Sequence, residues 1–116
     1  MAKDIQQIIN QLALFVDERD WDQFHNPKDL AMQISIESAE LMEHFLWRDQ
    51  DEIRTHLAKH KDEIGEELAD VLHNVLLMVR KLDIDLLAAS ERKLAKNRAK
   101  YPVHNSKGSH QKYTEK

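Results

Sequence analysis

The chain has 116 residues, with 17 basic against 21 acidic side chains and a net charge of −4, which disfavours binding of duplex DNA through a basic face. It contains no cysteine, so disulfides, thiolate catalysis and thiolate metal sites are excluded, and a reducing cytoplasm is the expected location. The sequence shows no apolar run of the roughly 18 residues that a membrane span requires, and it shows no apolar signal region. With only 2 Gly and 2 Pro, it is rich in residues that form helices.

The first two predicted helices are separated by a polar connection that contains aromatic residues. Apolar residues recur at helical spacing between about Asp4 and Asp20, which predicts an amphipathic helix. The stretch ERDWDQFHNP, residues 18–27, interrupts this pattern. Pro27 suits the first position of the next helix, because no partner is needed there for the N–H that proline lacks. We expect that second helix to run to about Leu46.

The second half of the chain predicts two more long helices. Residues 47–62 form a polar connection with a short helix near its middle, and the strongest apolar period of the chain follows over residues 62–81. A final helix is predicted from about Ile84 to Lys100, because Pro102 cannot continue it.

These elements predict an all-α fold, a helical bundle of four main helices plus a short connecting helix. The apolar arcs of the helices are broader than one small core needs, which favours assembly into a homo-oligomer. Residues 1–102 are expected to form one domain. Residues 103–116 are polar and aperiodic, so we expect a flexible C-terminal tail.

Two of the helices carry paired acids at the edge of the apolar face. Glu37 and Glu40 lie three residues apart on the second helix, and Glu67 and Asp70 repeat that spacing on the third long helix. Side chains three residues apart are neighbours on a helix, so two packed helices would bring four carboxylates together. Such a cluster repels itself unless a cation is bound, and oxygen ligands without thiolates favour Mg²⁺ or Mn²⁺ over Zn²⁺.

Two other interpretations of these acids fit the sequence less well. Solvated acids are common on the helices of a highly charged chain, but here each pair lies against the apolar arc of a different helix. A di-iron carboxylate bundle requires Glu-x-x-His on two of its helices, and the sequence offers only the approximation Asp70-x-x-His73. A site for a hard divalent cation is therefore the favoured interpretation.

The motif ESAE at residues 37–40, followed by ELAD at residues 67–70, resembles the E-x-x-E and E-x-x-D signature of the MazG-like, all-α nucleoside triphosphate pyrophosphohydrolases. The similarity is closest to the dCTP pyrophosphatase branch. It extends, in the expected order, through ERDWDQFHNPKDL, ESAELMEHFLW, EELADVLHNVLL, KLAKNRAKYP and the terminal KYTE.

The resemblance implies an activity and a set of site residues. The enzymes of this family cleave a nucleoside triphosphate between its α and β phosphates, and the match assigns the catalytic Mg²⁺ ligands to Glu37, Glu40, Glu67 and Asp70. It assigns nucleotide binding to His25, Trp47, Lys93, Asn97 and Trp21. Asn74 stands where the branch has a tyrosine, one turn after the motif aspartate. A small amide thus replaces an aromatic wall, which weakens the case for strict cytosine selectivity.

The basic segment at residues 91–102 fits the same chemistry. It carries five of the 17 basic residues against one acid. A triphosphate has about four negative charges and can approach an acidic cluster only through a metal ion. Lys93, Arg98 or Lys96 would then neutralise the departing pyrophosphate.

Two functions follow from these observations. The first is a Mg²⁺-dependent, house-cleaning pyrophosphohydrolase that converts dNTPs, dCTP among them, to dNMP and pyrophosphate. The alternative is a non-catalytic helical module that binds a nucleotide or a protein and keeps the acids as a metal-stabilised core. A homotetramer is expected ahead of a dimer, and neither a nucleic acid polymer nor a membrane is an expected partner.

Overall fold

A computed structural model describes residues 2–115, and that part of the chain is all-helical, without strands. The five α-helices are α1 (Ile5–Glu18), α2 (Pro27–Glu43), α3 (Gln50–Leu82), α4 (Leu86–Lys100) and α5 (Val103–Ser106). Single 3₁₀ turns occur at Asp22–Phe24 and Tyr113–Glu115. The predicted all-α class is confirmed. Among residues 2–115, no helix combines the length and the apolar character needed to cross a membrane.

The chain divides into two compact units, one that ends at Asp83 and one that begins at Ile84. In the first unit, α1 and α2 both pack against the long helix α3. The core that they share consists of the buried side chains of Val16, Leu30, Ile64, Leu76 and Val79. Full burial of such a side chain stabilises the fold by about 1.5–3 kcal/mol, so this small set anchors all three helices.

The start of α2 follows the sequence prediction. The Asn26 side chain accepts a hydrogen bond from the Asp29 N–H at 2.8 Å, and Pro27 occupies the first helical position. The helix ends at Glu43, three residues before the predicted end at Leu46. This cap fixes the register of α2 and therefore the direction in which its acids point.

The polar stretch predicted as a connection is instead the first half of α3. A capping box between Asp49 and Glu52 starts this helix at Gln50, and the chain then continues through a kink at His60 (φ −122°, ψ 23°) to Leu82. The predicted short helix and the predicted long helix are therefore one bent element. A single non-helical residue replaces the loop that we expected between them.

Three histidines lie around this kink. Nδ1 of His44, at the end of α2, is 2.9 Å from Nε2 of His56, and the rings of His56 and His60 stack with their centroids 4.4 Å apart. Burial lowers the pKa of His56, and the positive charge of Arg48 lowers it further. These contacts join the end of α2 to the first half of α3.

The second unit contains α4 and the C-terminal segment. The side chain of Asp85 accepts a hydrogen bond from the Ala88 N–H at 3.1 Å and so caps the start of α4. The helix ends at Lys100, two residues before Pro102, as the sequence predicts. In the segment that follows, the ring of Tyr113 meets that of Tyr101 edge to face, with centroids 5.9 Å apart.

Candidate metal centre and the adjoining cleft

Three of the four predicted acids meet where α2 packs on α3. Carboxylate oxygens of Glu37, Glu67 and Asp70 all lie within 4.8 Å of one another. Glu37 is half-buried on α2, while Glu67 and Asp70 lie one turn apart on α3. Glu40, one turn beyond Glu37, is exposed and lies outside this group of three, although its carboxyl interacts with that of Glu37. The predicted convergence of acids from two helices is therefore present in the fold.

Two oxygens of this cluster are buried without a partner. Within residues 2–115, Oε2 of Glu37 and Oε2 of Glu67 are inaccessible to solvent and accept no hydrogen bond. In the same range, no Lys, Arg or His forms an ion pair with any of the three acids. A buried acceptor without a partner costs about 1–3 kcal/mol, and more if it is charged. Several acceptor-only oxygens at one point are the ligand set that a hard divalent cation prefers. The residues present therefore fit such an ion.

The raised pKa of the Glu37 carboxyl also fits a site for a cation. Burial raises the pKa of its carboxyl. A hydrogen bond from Gln33 Nε2 to Oε1, at 2.9 Å, opposes this rise, whereas the neighbouring carboxyls of Glu40 and Asp70 add to it. The cluster therefore holds negative charge that one neutral amide only partly compensates.

A cleft of about 430 Å³ extends from Asp70 along the faces of α1, α2 and α3. Its apolar walls include Leu12, Phe15, Phe24 and Leu77, and its polar groups are His25, Asp29, Gln33, Asp70, His73 and Asn74. Trp21 completes the aromatic part and meets Phe15 edge to face, with ring centroids 5.7 Å apart. Aromatic surface beside a few polar groups suits a ligand with a planar ring, and an anionic end of that ligand could approach the acids only through a bound cation.

Several of the residues predicted to bind a substrate lie together in this cleft. Trp21, His25 and Asn74 line it with Asp70. Nδ2 of Asn74 donates a hydrogen bond to the backbone carbonyl of Asp70 at 2.9 Å, so the Asn74 carbonyl oxygen is the part of this amide left to accept from a ligand. A residue expected to set base preference is thus tied directly to a residue of the acidic cluster.

The other predicted residues lie elsewhere in the described part of the chain. Trp47 is not among the side chains that line the cleft, and it is 90% exposed at a residue with φ 63°. Lys93, Asn97 and Arg98 belong to α4, in the second unit. Lys93 and Asn97 are four residues apart and so share one face of that helix, where Lys93 is exposed and Asn97 half-buried.

Gln33 belongs to this site but was not predicted from the sequence. This residue lies one turn before Glu37 on α2, lines the cleft and donates to the Glu37 carboxylate. Its spacing of four residues from Glu37 was the available signal, since side chains at that spacing touch on a helix. Asp29 and Phe24 also line the cleft, and no pattern in the sequence distinguishes them from other residues near a helix start.

The fold and the cluster define an all-α protein with a carboxylate centre suited to a divalent metal. The sequence model of the MazG-like family matches residues 32–115, and the chain belongs to that family. The resemblance inferred from the ESAE and ELAD motifs is therefore confirmed.

Individual proteins of known name are similar to this chain as well. dCTP pyrophosphatase 1 of Rattus norvegicus is 39% identical over 105 residues, which cover 89% of this chain and 62% of that protein. The corresponding protein of Homo sapiens is 36% identical over the same length. The chain thus spans 62% of the length of these curated relatives. The crystal structure of a pyrophosphatase from Archaeoglobus fulgidus matches with a TM-score of 0.80 and 41% identity, over 88% of this chain and 95% of that one.

Proposed function

We propose that this chain is a Mg²⁺-dependent nucleoside triphosphate pyrophosphohydrolase that cleaves dNTPs, including dCTP, to dNMP and pyrophosphate. One observation carries the proposal: the unpartnered oxygens of Glu37 and Glu67 lie in one cluster with Asp70, which lines an aromatic cleft. Relatives named dCTP pyrophosphatase 1, and a related structure described as a pyrophosphatase, support the substrate class. Removal of potentially harmful nucleotides, a house-cleaning role, fits this activity.

The metal ligands proposed are Glu37, Glu67 and Asp70, with Glu40 as the fourth acid. When bound, Mg²⁺ would supply positive charge to the phosphates and make a nearby water more acidic, and Mn²⁺ would serve the same purpose. The four acids would hold this charge where α2 packs on α3, and the partial burial of Glu37 would limit competition from solvent. In the reaction, a water oxygen forms a bond to the α phosphorus, and the bond from that phosphorus to the bridging oxygen breaks. Pyrophosphate leaves with the bridging oxygen.

The cleft is proposed to bind the nucleoside. Trp21 would stack on the base, and His25 would donate a hydrogen bond to the base or to a phosphate. Asn74 would contact the nucleoside through its carbonyl oxygen, which accepts, and through the second N–H of its amide, since the Asp70 backbone uses only one of the two. The small Asn74 side chain leaves more room than a tyrosine would, so we expect bases other than cytosine to be accepted as well.

The remaining site residues are proposed from the family match. Lys93 and Arg98 would neutralise the leaving pyrophosphate, Asn97 would bind a phosphate or the sugar, and Trp47 would cover the base. These residues lie on α4 and in the connection after α2. Residues 1–102 are proposed to form the pyrophosphohydrolase domain, with residues 103–116 as a tail. The cytoplasmic location stays a prediction from cysteine content.

A homotetramer is proposed ahead of a dimer. Large apolar side chains are exposed near the end of α2, with Met42 at 69% and Leu46 at 56% exposure. Surfaces of this kind are commonly covered by association. Light scattering at micromolar concentration tests the point, and a monomer that still turns over substrate would contradict it.

The function is tested by incubating the purified protein with each dNTP and NTP in the presence of Mg²⁺. We expect pyrophosphate release from dNTPs, with dCTP among the best substrates and slower release from CTP. Equal rates for CTP and dCTP would contradict the expected preference for deoxynucleotides. Nucleotide binding without turnover of any triphosphate would favour the non-catalytic binding module instead.

A further inference from the structure

The amide of Gln33 holds one oxygen of the Glu37 carboxylate by a hydrogen bond. Its Nε2 donates to Oε1 of Glu37 at 2.9 Å, from one turn earlier on α2. Both side chains are half-buried, and Gln33 also lines the cleft that reaches Asp70. Gln33 therefore lies between the cleft and the acidic cluster.

This hydrogen bond engages only one of the two carboxylate oxygens of Glu37. An ionised carboxylate only accepts hydrogen bonds, so the amide N–H fixes one oxygen and leaves the other free. The free oxygen is Oε2, which is buried and has no hydrogen-bond partner among residues 2–115, and Glu37 belongs to the cluster with Glu67 and Asp70. A glutamate held in this way has already lost much of the rotamer freedom that metal binding would otherwise remove.

We propose that Gln33 is a positioning residue of the metal centre, which holds Glu37 by Oε1 so that Oε2 remains available to the metal ion. The proposal rests on the proposed function and deepens it by naming a residue that acts through a ligand. Without the amide donor, the Glu37 side chain is free to rotate towards solvent, and metal binding must then order it. Loss of a hydrogen-bond partner behind a metal ligand typically weakens metal affinity by about 10- to 100-fold.

The test compares Gln33→Met with Gln6→Met. Gln6 is a matched control because its Nε2 donates to Oδ1 of Asn10 at 3.0 Å across the same spacing of four residues, on the exposed face of α1. Mn²⁺ binding to each protein without nucleotide is measured from the electron paramagnetic resonance signal of free Mn²⁺. We expect the Kd of Gln33→Met to rise about 10-fold and that of Gln6→Met to stay within about twofold of the wild-type value.

Kinetics at high Mn²⁺ separate positioning from damage to the fold. Saturating Mn²⁺ should return the kcat of Gln33→Met close to the wild-type value, which a damaged fold would not permit. An unchanged Mn²⁺ Kd in Gln33→Met, or a loss of kcat that saturating Mn²⁺ does not restore, would overturn the proposal. A wild-type protein that binds no Mn²⁺ would overturn it together with the proposed metal centre. A Kd increase in a protein that releases no pyrophosphate would support the positioning role and contradict only the proposed activity.

Discussion

Glu37 and Glu67 belong to one carboxylate cluster, and within residues 2–115 the buried Oε2 atom of each has no hydrogen-bond partner. The two residues belong to different helices, so the packing of α2 on α3 creates this juxtaposition of like charges. Like charges at such separations destabilise a fold unless a cation is present. We therefore expect the stability of the helical core to depend on binding of the proposed metal ion at this pair.

Mg²⁺ should stabilise the fold. A ligand that binds only the folded state raises its free energy of unfolding by mass action. We expect the melting temperature in millimolar Mg²⁺ to exceed that in EDTA by several degrees. The same pair of measurements on Glu67→Gln should show a much smaller difference. Melting curves of the wild-type protein that do not respond to metal would favour ordinary surface acids.

The pH dependence of metal-free stability should report on Glu37. Folding raises the pKa of this carboxyl from its usual 4.5, mainly through burial, so the folded state holds the proton more tightly than the unfolded state does. Below 4.5 both states are protonated and Glu37 contributes no penalty. As the pH rises from 4.5 to the folded-state pKa, the unfolded state ionises first, so the folded state loses stability relative to it, and the penalty is complete above the folded-state pKa.

The glutamine side chain in the Glu37→Gln variant does not ionise, so the variant should not lose stability in this way. In EDTA, the melting temperature of the variant relative to the wild-type protein should therefore increase between about pH 4 and about pH 7. The comparison cancels the titration of the acids that do not interact with Glu37, which both proteins share, whereas Glu40 and Asp70 contribute to the difference. A difference that stays constant over this range would contradict the assignment of the raised pKa to Glu37.

Trp21→Ala should weaken nucleotide binding. Stacking of a base on an aromatic side chain contributes about 1–3 kcal/mol, so the KM for dCTP should rise about 10-fold or more. The effect on kcat should be smaller, because stacking is similar in the ground state and the transition state. Steady-state kinetics check this prediction, and an unchanged KM would place the base outside the cleft.

Much of the fold was predictable because local signals and packing agree. The apolar period of α1, the Asn26–Pro27 start of α2 and the stop of α4 before Pro102 are each set by residues close in sequence. The meeting of Glu37, Glu67 and Asp70 was predictable for a related reason. A spacing of three residues places two acids on one helix face, and an apolar arc beside them indicates that this face packs against another helix.

The features that were not predicted depend on helix packing or on local polar contacts that many helices share. The polar residues before His60 resemble a connection, but the capping box at Asp49 and the contact between His44 and His56 keep them helical in α3. The cleft arises from the packing of three helices, so no single period in the sequence marks its walls. Gln33 resembles many other polar residues on a helix until Glu37 is seen to be half-buried beside it.

Glu37→Gln should nearly abolish activity. The substitution keeps the side-chain volume but removes a charge that holds the metal, and the loss of metal charge at the transition state costs several kcal/mol. We expect kcat/KM for dCTP to fall by about two orders of magnitude or more. Glu43→Gln, two turns away on the same helix, is the matched control and should leave kcat/KM unchanged. Near-normal turnover by the Glu37→Gln variant would show that Glu37 does not hold the metal ion.

The most direct test of the account identifies the products formed from dCTP. Phosphorus-31 NMR of the reaction with Mg²⁺ distinguishes pyrophosphate and dCMP from orthophosphate and dCDP. We predict that the wild-type protein releases pyrophosphate and dCMP as its first products, and that EDTA stops the reaction. Orthophosphate as the direct product, or pyrophosphate release that continues in EDTA, would contradict a metal-dependent pyrophosphohydrolase built on Glu37, Glu67 and Asp70.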